Sequence, residues 1–187
     1  MPHADSSYFG PSASKPEIYS QVLSQAEGLL YGQRNWVSNL SNVASLLWHA
    51  YAALPSPLSA VNWAGFYVRQ DKFPNLNTQG QSQEQQKKLW LGPFQGRPAC
   101  QEIRFGRGVC GTAAEKGETV VVGDVLQFPG HIACDAQSRS EIVVPILSQG
   151  ETVAIIDVDC TEVDGFDEAD RKFLEELAGL LANSCDW

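Results

Sequence analysis

The sequence predicts an α+β domain in which a six-stranded, mainly antiparallel sheet is flanked by two N-terminal helices and one C-terminal helix. Two segments with helical spacing of apolar residues open the chain, six short β-rich segments follow, and an amphipathic segment closes it. The 187 residues, of which 43% are hydrophobic and 19% charged, suffice for one buried core. We therefore expect a single domain over residues 17–187, after a flexible leader over residues 1–16 that is rich in Ser, Pro and Ala.

The two N-terminal helices are predicted from apolar residues that recur at three- and four-residue spacing. The first is expected to begin at Glu17, and Val22 belongs to its apolar face. The second carries an apolar stripe from Val37 to Tyr51 and ends before Pro55, because proline cannot continue a helix. Two packed helices are thus expected ahead of the sheet.

Six short segments rich in aromatic and β-branched residues are predicted to be the strands of the sheet. They lie at residues 60–69, 88–94, 101–105, 119–122, 141–147 and 152–159. The last two are expected to be joined by Ser148, Gln149 and Gly150 as a tight hairpin. Residues 70–86, rich in Gln, Asn and Ser, are expected to form a solvated loop insertion.

The C-terminal helix is predicted to start at Asp167, whose side chain can cap the free backbone N–H groups. Glu168 and Asp170 suit the positive end of the helix dipole. The apolar stripe of this helix comprises Phe173, Leu174, Leu177, Leu180 and Leu181. We expect this stripe to pack on the sheet beside the first two helices.

The charge of the chain argues against two classes of partner. A formal net charge of -9 repels phosphate backbones and anionic lipid headgroups, so we expect neither a nucleic-acid nor a membrane partner. The sequence contains no run of about 18 apolar residues. Its N-terminus lacks the basic start and apolar stretch of a secretory signal. A cytoplasmic protein is therefore expected.

Three acidic residues are predicted to meet at one end of the sheet. Asp157 and Asp159 are two positions apart on a strand, so both point to the same face. In a tight antiparallel hairpin, Glu141 at the start of the partner strand lies opposite them. A solvated strand face is the ordinary alternative. Converging acids instead favour a site for a ligand ammonium group, or a shared-proton site for acid catalysis.

Two aromatic residues are candidates for the wall of the same pocket. Trp63 and Tyr67 are four positions apart on a predicted strand, so their side chains share a face, which also includes Val61 and Gly65. Core packing is the ordinary role of such aromatics. Beside several acids, however, aromatic walls suit a small cation.

Three of the five cysteines fall within 35 residues, at Cys100, Cys110 and Cys134. Redox chemistry, metal binding and simple burial are the alternatives. All three lie near turns or loops, where thiols are free to exchange disulfides. Cys110 follows a glycine-rich turn at the predicted start of a short helix, whose dipole would favour the thiolate. Cys134 follows a Pro-Gly turn and His131 in a predicted loop.

Structural zinc fits this cysteine cluster poorly, and we expect no metal, although a zinc site assembled from residues distant in sequence stays open as an alternative. Zinc ligands usually lie two to four residues apart, whereas the three cysteines are separated by ten and twenty-four positions. Only His131 lies close in sequence to a cysteine. The remaining thiols are predicted to be structural, because Cys160 faces away from the acids and Cys185 ends the last helix.

Five short segments carry a resemblance to a known family. They are Asn-Trp-Ala-Gly-Phe-Tyr (62–67), Gly-Val-Cys-Gly-Thr-Ala (108–113), Phe-Pro-Gly-His-Ile-Ala-Cys-Asp (128–135), Ser-Glu-Ile-Val-Val-Pro (140–145) and Ile-Asp-Val-Asp (156–159). Together they resemble the free methionine-(R)-sulfoxide reductases, which are single GAF-domain enzymes. The resemblance extends from about Tyr19 to the C-terminus. It implies a GAF-like fold and an oxidoreductase that acts on free methionine-(R)-sulfoxide.

The resemblance also implies a thiol mechanism without a cofactor. A thiolate attacks the sulfoxide sulfur, a sulfenic acid forms and condenses with a second thiol, and thioredoxin restores the dithiol. Loop access to the pocket and closeness in sequence to Glu141 and His131 predict Cys134 as the attacking thiol, with Cys110 and Cys100 as resolving partners. Attack by Cys110 stays open as the alternative.

The substrate-binding residues implied by the resemblance are the aromatic pair and the three acids. Trp63 and Tyr67 would wall the methyl-sulfoxide end of the substrate. Glu141, Asp157 and Asp159 would bind its ammonium group and hydrogen-bond or protonate the sulfoxide oxygen.

A GAF module that binds a small molecule or senses redox state without catalysis is the alternative function. A sensor normally needs an output domain, for which 187 residues leave no room, although regulation through a bound partner stays open. A role in oxidative stress follows only from the resemblance. A homodimer stays an open alternative.

Overall fold

The structure, a computed structural model, describes residues 9–10, 13–73, 87–130 and 135–187. Most of the expected leader and insertion therefore lies outside the described residues, and so do His131 and Cys134. Phe9 is buried in the main core, which corrects the expectation that the whole leader lies outside it. Gln70, the first residue of the expected solvated insertion, is also buried.

Six strands form one antiparallel sheet in the described part of the chain. They are β1 (Val61–Arg69), β2 (Lys88–Gly96), β3 (Glu102–Arg104), β4 (Val120–Val122), β5 (Ser140–Ser148) and β6 (Glu151–Cys160). Their order across the sheet is β3-β2-β1-β6-β5-β4, and every neighbouring pair is antiparallel. The predicted strands are confirmed. So is the tight hairpin, in which Gln149 and Gly150 both adopt positive φ.

Four α-helices accompany the sheet in the part of the chain that the structure describes. They are α1 (Lys15–Leu30), α2 (Trp36–Ala53), α3 (Gly108–Lys116) and α4 (Glu168–Ser184). Helix α1 begins two residues before the predicted Glu17, because the Glu17 carboxylate accepts a hydrogen bond from the Ser14 backbone N–H at 2.7 Å and so fixes the first turn. The predicted cap of α4 is confirmed, since the Asp167 side chain accepts hydrogen bonds from the N–H groups of Ala169 and Asp170.

The two faces of the sheet carry different layers. Helices α1, α2 and α4 cover one face and form the main core with alternate strand residues such as Phe66 and Ile156. Helix α3 covers the other face, where it packs on Tyr67, Val143 and Ile155. The predicted α+β fold class is confirmed, and the C-terminal helix packs beside the first two helices as expected. The face under α3 also carries the acids.

One strand residue faces the opposite side from the prediction. A register shift lies between Val61 and Trp63 in the pairing of β1 with β6. Val61 consequently packs against the main core, whereas Trp63 lies on the face covered by α3. A bulge of this kind turns a side chain to the opposite face of the sheet, although the types of the neighbouring residues are unchanged.

Among the described helices, none combines the length and the apolar character that crossing a membrane would require.

Candidate active site

Strand register brings the three predicted acids together. Glu141 on β5 lies opposite Asp159 on β6, and Asp157 lies opposite Val143. Because alternate residues share a face, all three carboxyl groups lie on the side of the sheet covered by α3. Glu141 and Asp157 are each only 5% exposed. The three acids therefore meet on one face of the sheet, as the antiparallel hairpin predicted from the sequence requires.

Helix α3 places a thiol against the acids. Cys110 is the third residue of the helix and is buried. Its Sγ lies 3.4 Å from Glu141 Oε1, to which the thiol donates. One ligand-capable atom from each of Cys110, Glu141 and Asp157 lies within 4.8 Å of the others. This site therefore joins a helix and two adjacent strands in one compact cluster.

Burial raises the pKa of each acid in the cluster. It raises the pKa of Asp157 from 3.8 to about 7. It also raises the pKa of Glu141 well above the usual range, with a further contribution from the charges of Asp157 and Asp159. The pKa of Asp159 rises for the same two reasons, burial first and the charge of Asp157 second. The cluster thus retains protons that exposed carboxyl groups would release at neutral pH.

The thiol of Cys110 is not activated as its helix position suggested. Burial raises its pKa well above 9.0, and the negative charges of Asp157, Glu141 and Asp159 raise it further. The dipole of a nine-residue helix stabilises a nearby anion only modestly. Desolvation and three neighbouring acids outweigh it here. The sequence-based expectation of a favoured Cys110 thiolate is therefore wrong.

The predicted aromatic pair forms a wall beside the acids. Trp63 and Tyr67 stack with ring centroids 5.8 Å apart, and Trp63 also stacks on Phe94 at 5.2 Å. Gly65 lies between them on β1. A Cβ atom at Gly65 would fall 2.8 Å from Trp63 Cη2 and 2.7 Å from Phe94 Cα, so only glycine fits under the stacked rings.

Two adjoining cavities connect these groups. One is lined by Cys100, Glu102, Ile103, Arg107, Gly108, Val109, Cys110, Asp135, Ser138, Glu141, Asp157 and Asp159. The other is lined by Trp63, Tyr67, Arg97, Pro98, Ala99, Asp135, Asp157 and Asp159. They share three acids, Asp135, Asp157 and Asp159. The aromatic wall and the thiol of Cys110 therefore lie on opposite sides of the same acidic centre.

Cys100 lies at the mouth of this pocket and is partly exposed. Its backbone carbonyl accepts a hydrogen bond from the Tyr67 hydroxyl at 3.0 Å, and the nearby Arg97 carbonyl accepts one from Trp63 Nε1 at 3.2 Å. The aromatic wall thus also holds the loop that carries Cys100. Cys134 lies outside the described residues, so its predicted place beside the pocket stays a prediction.

The other two cysteines are remote from the pocket. Cys160 and Cys185 are buried in the main core, on the opposite side of the sheet from the acids. Cys160 Sγ lies 3.3 Å from the Pro57 carbonyl oxygen, and Cys185 Sγ lies 3.4 Å from Asn39 Nδ2. Both positions agree with the structural role predicted from the sequence.

The pocket also contains polar residues that the sequence analysis did not assign to it. Asp135 accepts a hydrogen bond from Asn62 Nδ2 at 3.2 Å and lies 3.6 Å from Arg97 Nη1. Ser138, which is 4% exposed, accepts a second bond from Asn62 Nδ2 at 3.1 Å. Asp135 is the last residue of the motif over 128–135, and Ser138 lies two residues before the motif over 140–145. Their contacts depend on how distant loops meet, which periodicity does not encode.

The fold and the buried pocket define a GAF domain. The GAF domain family model matches residues 40–184. This range contains β1 to β6, α3 and α4 completely and α2 in part. The pocket under α3 is thus built on the sheet that this family shares.

Similar proteins identify the family within the GAF-domain proteins to which this chain belongs. The chain is 51% identical to the free methionine-R-sulfoxide reductase of Saccharomyces cerevisiae, over 98% of this chain and 94% of the relative. It is 35% identical to the enzyme of that name from Escherichia coli, over 90% and 88%. A solved structure of free methionine-R-sulfoxide reductase from Neisseria meningitidis in complex with its substrate matches with a TM-score of 0.77 and 41% identity, covering 92% and 91%. This chain belongs to the family of free methionine-R-sulfoxide reductases, which are oxidoreductases.

Proposed function

We propose that this chain reduces free methionine-(R)-sulfoxide to methionine by thiol chemistry and that thioredoxin regenerates the reduced protein. The observation that carries the proposal is the cluster of Cys110, Glu141 and Asp157, whose ligand-capable atoms lie within 4.8 Å of one another beside the Trp63 and Tyr67 wall. The pocket thus offers buried acids, an apolar wall and a thiol to one small molecule.

The acids suit the ammonium end of a free amino acid. Ionised Glu141, Asp157 and Asp159 repel one another in the buried pocket, and a bound cation would offset this repulsion. A residue within a peptide has no α-ammonium group, so it cannot supply that charge. This difference supports free methionine sulfoxide, rather than a methionine sulfoxide residue in a protein, as the substrate.

The aromatic wall suits the other end of the substrate. Trp63 and Tyr67 present stacked ring faces to the smaller cavity, where an apolar methyl group can pack. The acids that border both cavities, Asp157 and Asp159, are then within reach of the polar groups of the substrate. A protonated carboxyl group there can donate a hydrogen bond or a proton to the sulfoxide oxygen.

The chemical cycle balances with thiols alone. An attacking thiol forms a bond to the sulfoxide sulfur, the oxygen is transferred to the cysteine sulfur, and methionine leaves with its sulfur reduced by two electrons. The resulting sulfenic acid condenses with a second thiol to give a disulfide and water. The thioredoxin dithiol reduces this disulfide and becomes oxidised in turn.

We assign attack to Cys134, with Cys110 and Cys100 as resolving thiols. The raised pKa of Cys110, which follows from its burial among three acids, supports its assignment as a resolving rather than an attacking thiol. Cys100 is more exposed at the pocket mouth, where a reductant protein can approach.

The proposal is tested by following NADPH consumption with the reduced protein, thioredoxin, thioredoxin reductase and the separated R and S epimers of free methionine sulfoxide. We expect turnover of the R epimer. A parallel reaction with dithiothreitol, scored by methionine release, separates failure of reduction from failure of thioredoxin to act. Methionine release in neither reaction would refute catalysis and favour the non-catalytic binding module.

The thiol assignment is tested with single Cys→Ser variants. Cys134→Ser should abolish turnover, whereas Cys160→Ser and Cys185→Ser should leave it nearly intact once thermal melting confirms that the buried substitutions still fold. Mass spectrometry of trapped intermediates should place the sulfenic acid on Cys134. A sulfenic acid on Cys110 in the wild-type protein would overturn the assignment but not the function.

A further inference from the structure

The thiol and acids of the pocket also have the chemistry of a metal-binding site. Cys110 Sγ and Glu141 Oε1 are 3.4 Å apart. In tetrahedral zinc coordination, bond lengths of about 2.3 Å to sulfur and 2.0 Å to oxygen place two such ligand atoms about 3.5 Å apart. A ligand atom of Asp157 completes a group within 4.8 Å. Small side-chain rotations would bring three ligand atoms around one ion.

Asp157 provides an independent sign that the cluster can accept a ligand. Its Oδ1 atom is buried and has no hydrogen-bond partner among the described residues, although the residue is only 5% exposed. A buried, unpartnered carboxyl oxygen is energetically costly. Asp157 lines both cavities, so this atom has access to a molecule or an ion that enters the pocket.

We propose that the reduced protein binds a thiophilic divalent cation of the zinc class in this pocket, held by Cys110, Glu141 and Asp157, and that the ion competes with the substrate. Two ligands come from paired strands and one from the helix that covers them, so the backbone holds all three in place. The proposed zinc binding does not depend on the proposed catalysis. The competition with methionine sulfoxide does.

The donor set favours a particular class of cation. One thiolate and two carboxylates suit Zn²⁺, which accepts mixed sulfur and oxygen ligands in four-coordinate geometry. Ca²⁺ requires six to eight oxygen ligands, and Mg²⁺ requires near-ideal octahedral oxygen coordination. Asp159, on the same face of β6 as Asp157, or a water molecule can supply the fourth ligand. Oxidation of Cys110 would remove the only sulfur ligand of the set and release the ion.

The binding step is tested on the full-length, reduced protein with Zn²⁺ buffered by a competing chelator and followed by calorimetry. Co²⁺ serves as a second probe, because a thiolate ligand gives it a charge-transfer band in the near ultraviolet. Cys110→Ser should abolish this band, and both Cys110→Ser and Glu141→Gln should weaken Zn²⁺ binding by roughly tenfold or more, since even residues that only support ligands cost about that much. Asp157→Asn should behave similarly.

Matched controls distinguish this site from other thiols. Cys160→Ser removes a buried thiol on the opposite face of the sheet, and Glu102→Gln removes an exposed acid at the mouth of the same cavity. Both should retain wild-type Zn²⁺ affinity. Unchanged affinity in Cys110→Ser, or loss of affinity only in Cys100→Ser or Cys134→Ser, would overturn the proposed site. No measurable Zn²⁺ binding by the wild-type protein would also overturn it.

Competition is measured separately from binding. Methionine-(R)-sulfoxide should lower the apparent Zn²⁺ affinity in the calorimeter, and Zn²⁺ should raise the apparent KM in the dithiothreitol-free thioredoxin assay without changing kcat. Zinc binding that methionine sulfoxide leaves unchanged would refute the shared pocket. It would leave the proposed catalytic function intact.

Discussion

Glu141 and Asp159 lie directly opposite each other in the antiparallel pair of β5 and β6, on a sheet face that is covered by α3. Opposed acids destabilise a strand pair unless they are protonated or share a cation. Burial and mutual repulsion raise the pKa of both. A pair that is unfavourable for the fold alone therefore favours the binding of a cationic ligand.

Removing one acid should weaken substrate binding more than it alters the fold. Glu141→Gln keeps the size of the side chain and removes its charge. A hydrogen bond to a charged group contributes about 1.5–3 kcal/mol, so we expect the KM for methionine-(R)-sulfoxide to rise roughly 10- to 100-fold. Initial-rate kinetics provide the measurement. Glu102→Gln, at the exposed mouth of the cavity, should change KM less than about threefold. Equal effects of the two substitutions would contradict the proposed role of Glu141.

Gly65 should be required for the position of the aromatic wall. A methyl group there would meet the Trp63 ring at 2.8 Å and the Phe94 backbone at 2.7 Å. Gly65→Ala should therefore displace Trp63, shift its fluorescence and raise KM. Gly179→Ala is the control, because a Cβ atom at this helical position meets nothing within 4 Å. Gly179→Ala should leave fluorescence unchanged and slightly raise stability, since alanine favours helix. An unaltered Trp63 environment in Gly65→Ala would refute the steric argument.

Sequence periodicity sufficed to predict the positions of those site residues that lie on regular strands. The two-residue period of β6 and the tight turn at Gly150 suffice to predict that Glu141 lies near Asp157 and Asp159. The bulge that turns Val61 to the main core interrupts that period locally, so the pattern could not reveal it. Long-range packing is the second feature of the site that the sequence pattern could not predict.

The environment of Cys110 shows why packing could not be predicted from local sequence. Its place at the start of a short helix was predicted, but the desolvation that raises its pKa arises because α3 covers the acidic face of the sheet. The contact between Arg97 and Asp135 likewise joins two loops that are far apart in sequence. Neither fact is encoded in the spacing of neighbouring residues.

The stability of the empty protein should fall as pH rises towards neutrality. Burial raises the pKa of Asp157 from 3.8 to about 7 in the folded state. Between these values the unfolded chain has released a proton that the folded chain retains, so raising the pH favours unfolding. The stabilising contribution of the Asp157 proton is fully present below pH 3.8 and is lost progressively towards about pH 7. Above that pH it changes no further.

Chemical denaturation at several pH values, in the presence of a chelator, measures this effect. Asp157→Asn should lose less stability over the same pH range than the wild-type protein. Glu141 on β5, Asp159 on β6 and Cys110 on α3 face Asp157, and both acids should add a slope of the same sign because burial raises their pKa as well. Identical pH profiles for the wild type and Asp157→Asn would show that Asp157 does not titrate in this range.

A buried polar network between α1 and α4 should stabilise the fold without affecting the site. The Tyr19 hydroxyl donates to Asp170 Oδ1, and Lys15 Nζ donates to Asp170 Oδ2 at 2.7 Å. Asp170 is fully buried. Tyr19→Phe leaves Oδ1 without its hydroxyl donor and should lower the free energy of unfolding by about 1–3 kcal/mol. Urea denaturation gives the value, and Tyr31→Phe is the control because Tyr31 is 91% exposed.

Each of the two substitutions removes one phenolic hydroxyl group. The difference between their effects on the free energy of unfolding therefore isolates the contribution of the buried hydrogen bond. Tyr31→Phe should change the free energy of unfolding by less than about 0.5 kcal/mol. Tyr19 lies on the face of the sheet opposite the pocket, in the main core. The KM of folded Tyr19→Phe should therefore match that of the wild type. If Tyr19→Phe were as stable as Tyr31→Phe, the hydrogen bond to Asp170 would contribute nothing to folding. The contribution of Tyr19 would then come from its ring contacts, such as stacking on Phe173 with ring centroids 4.0 Å apart.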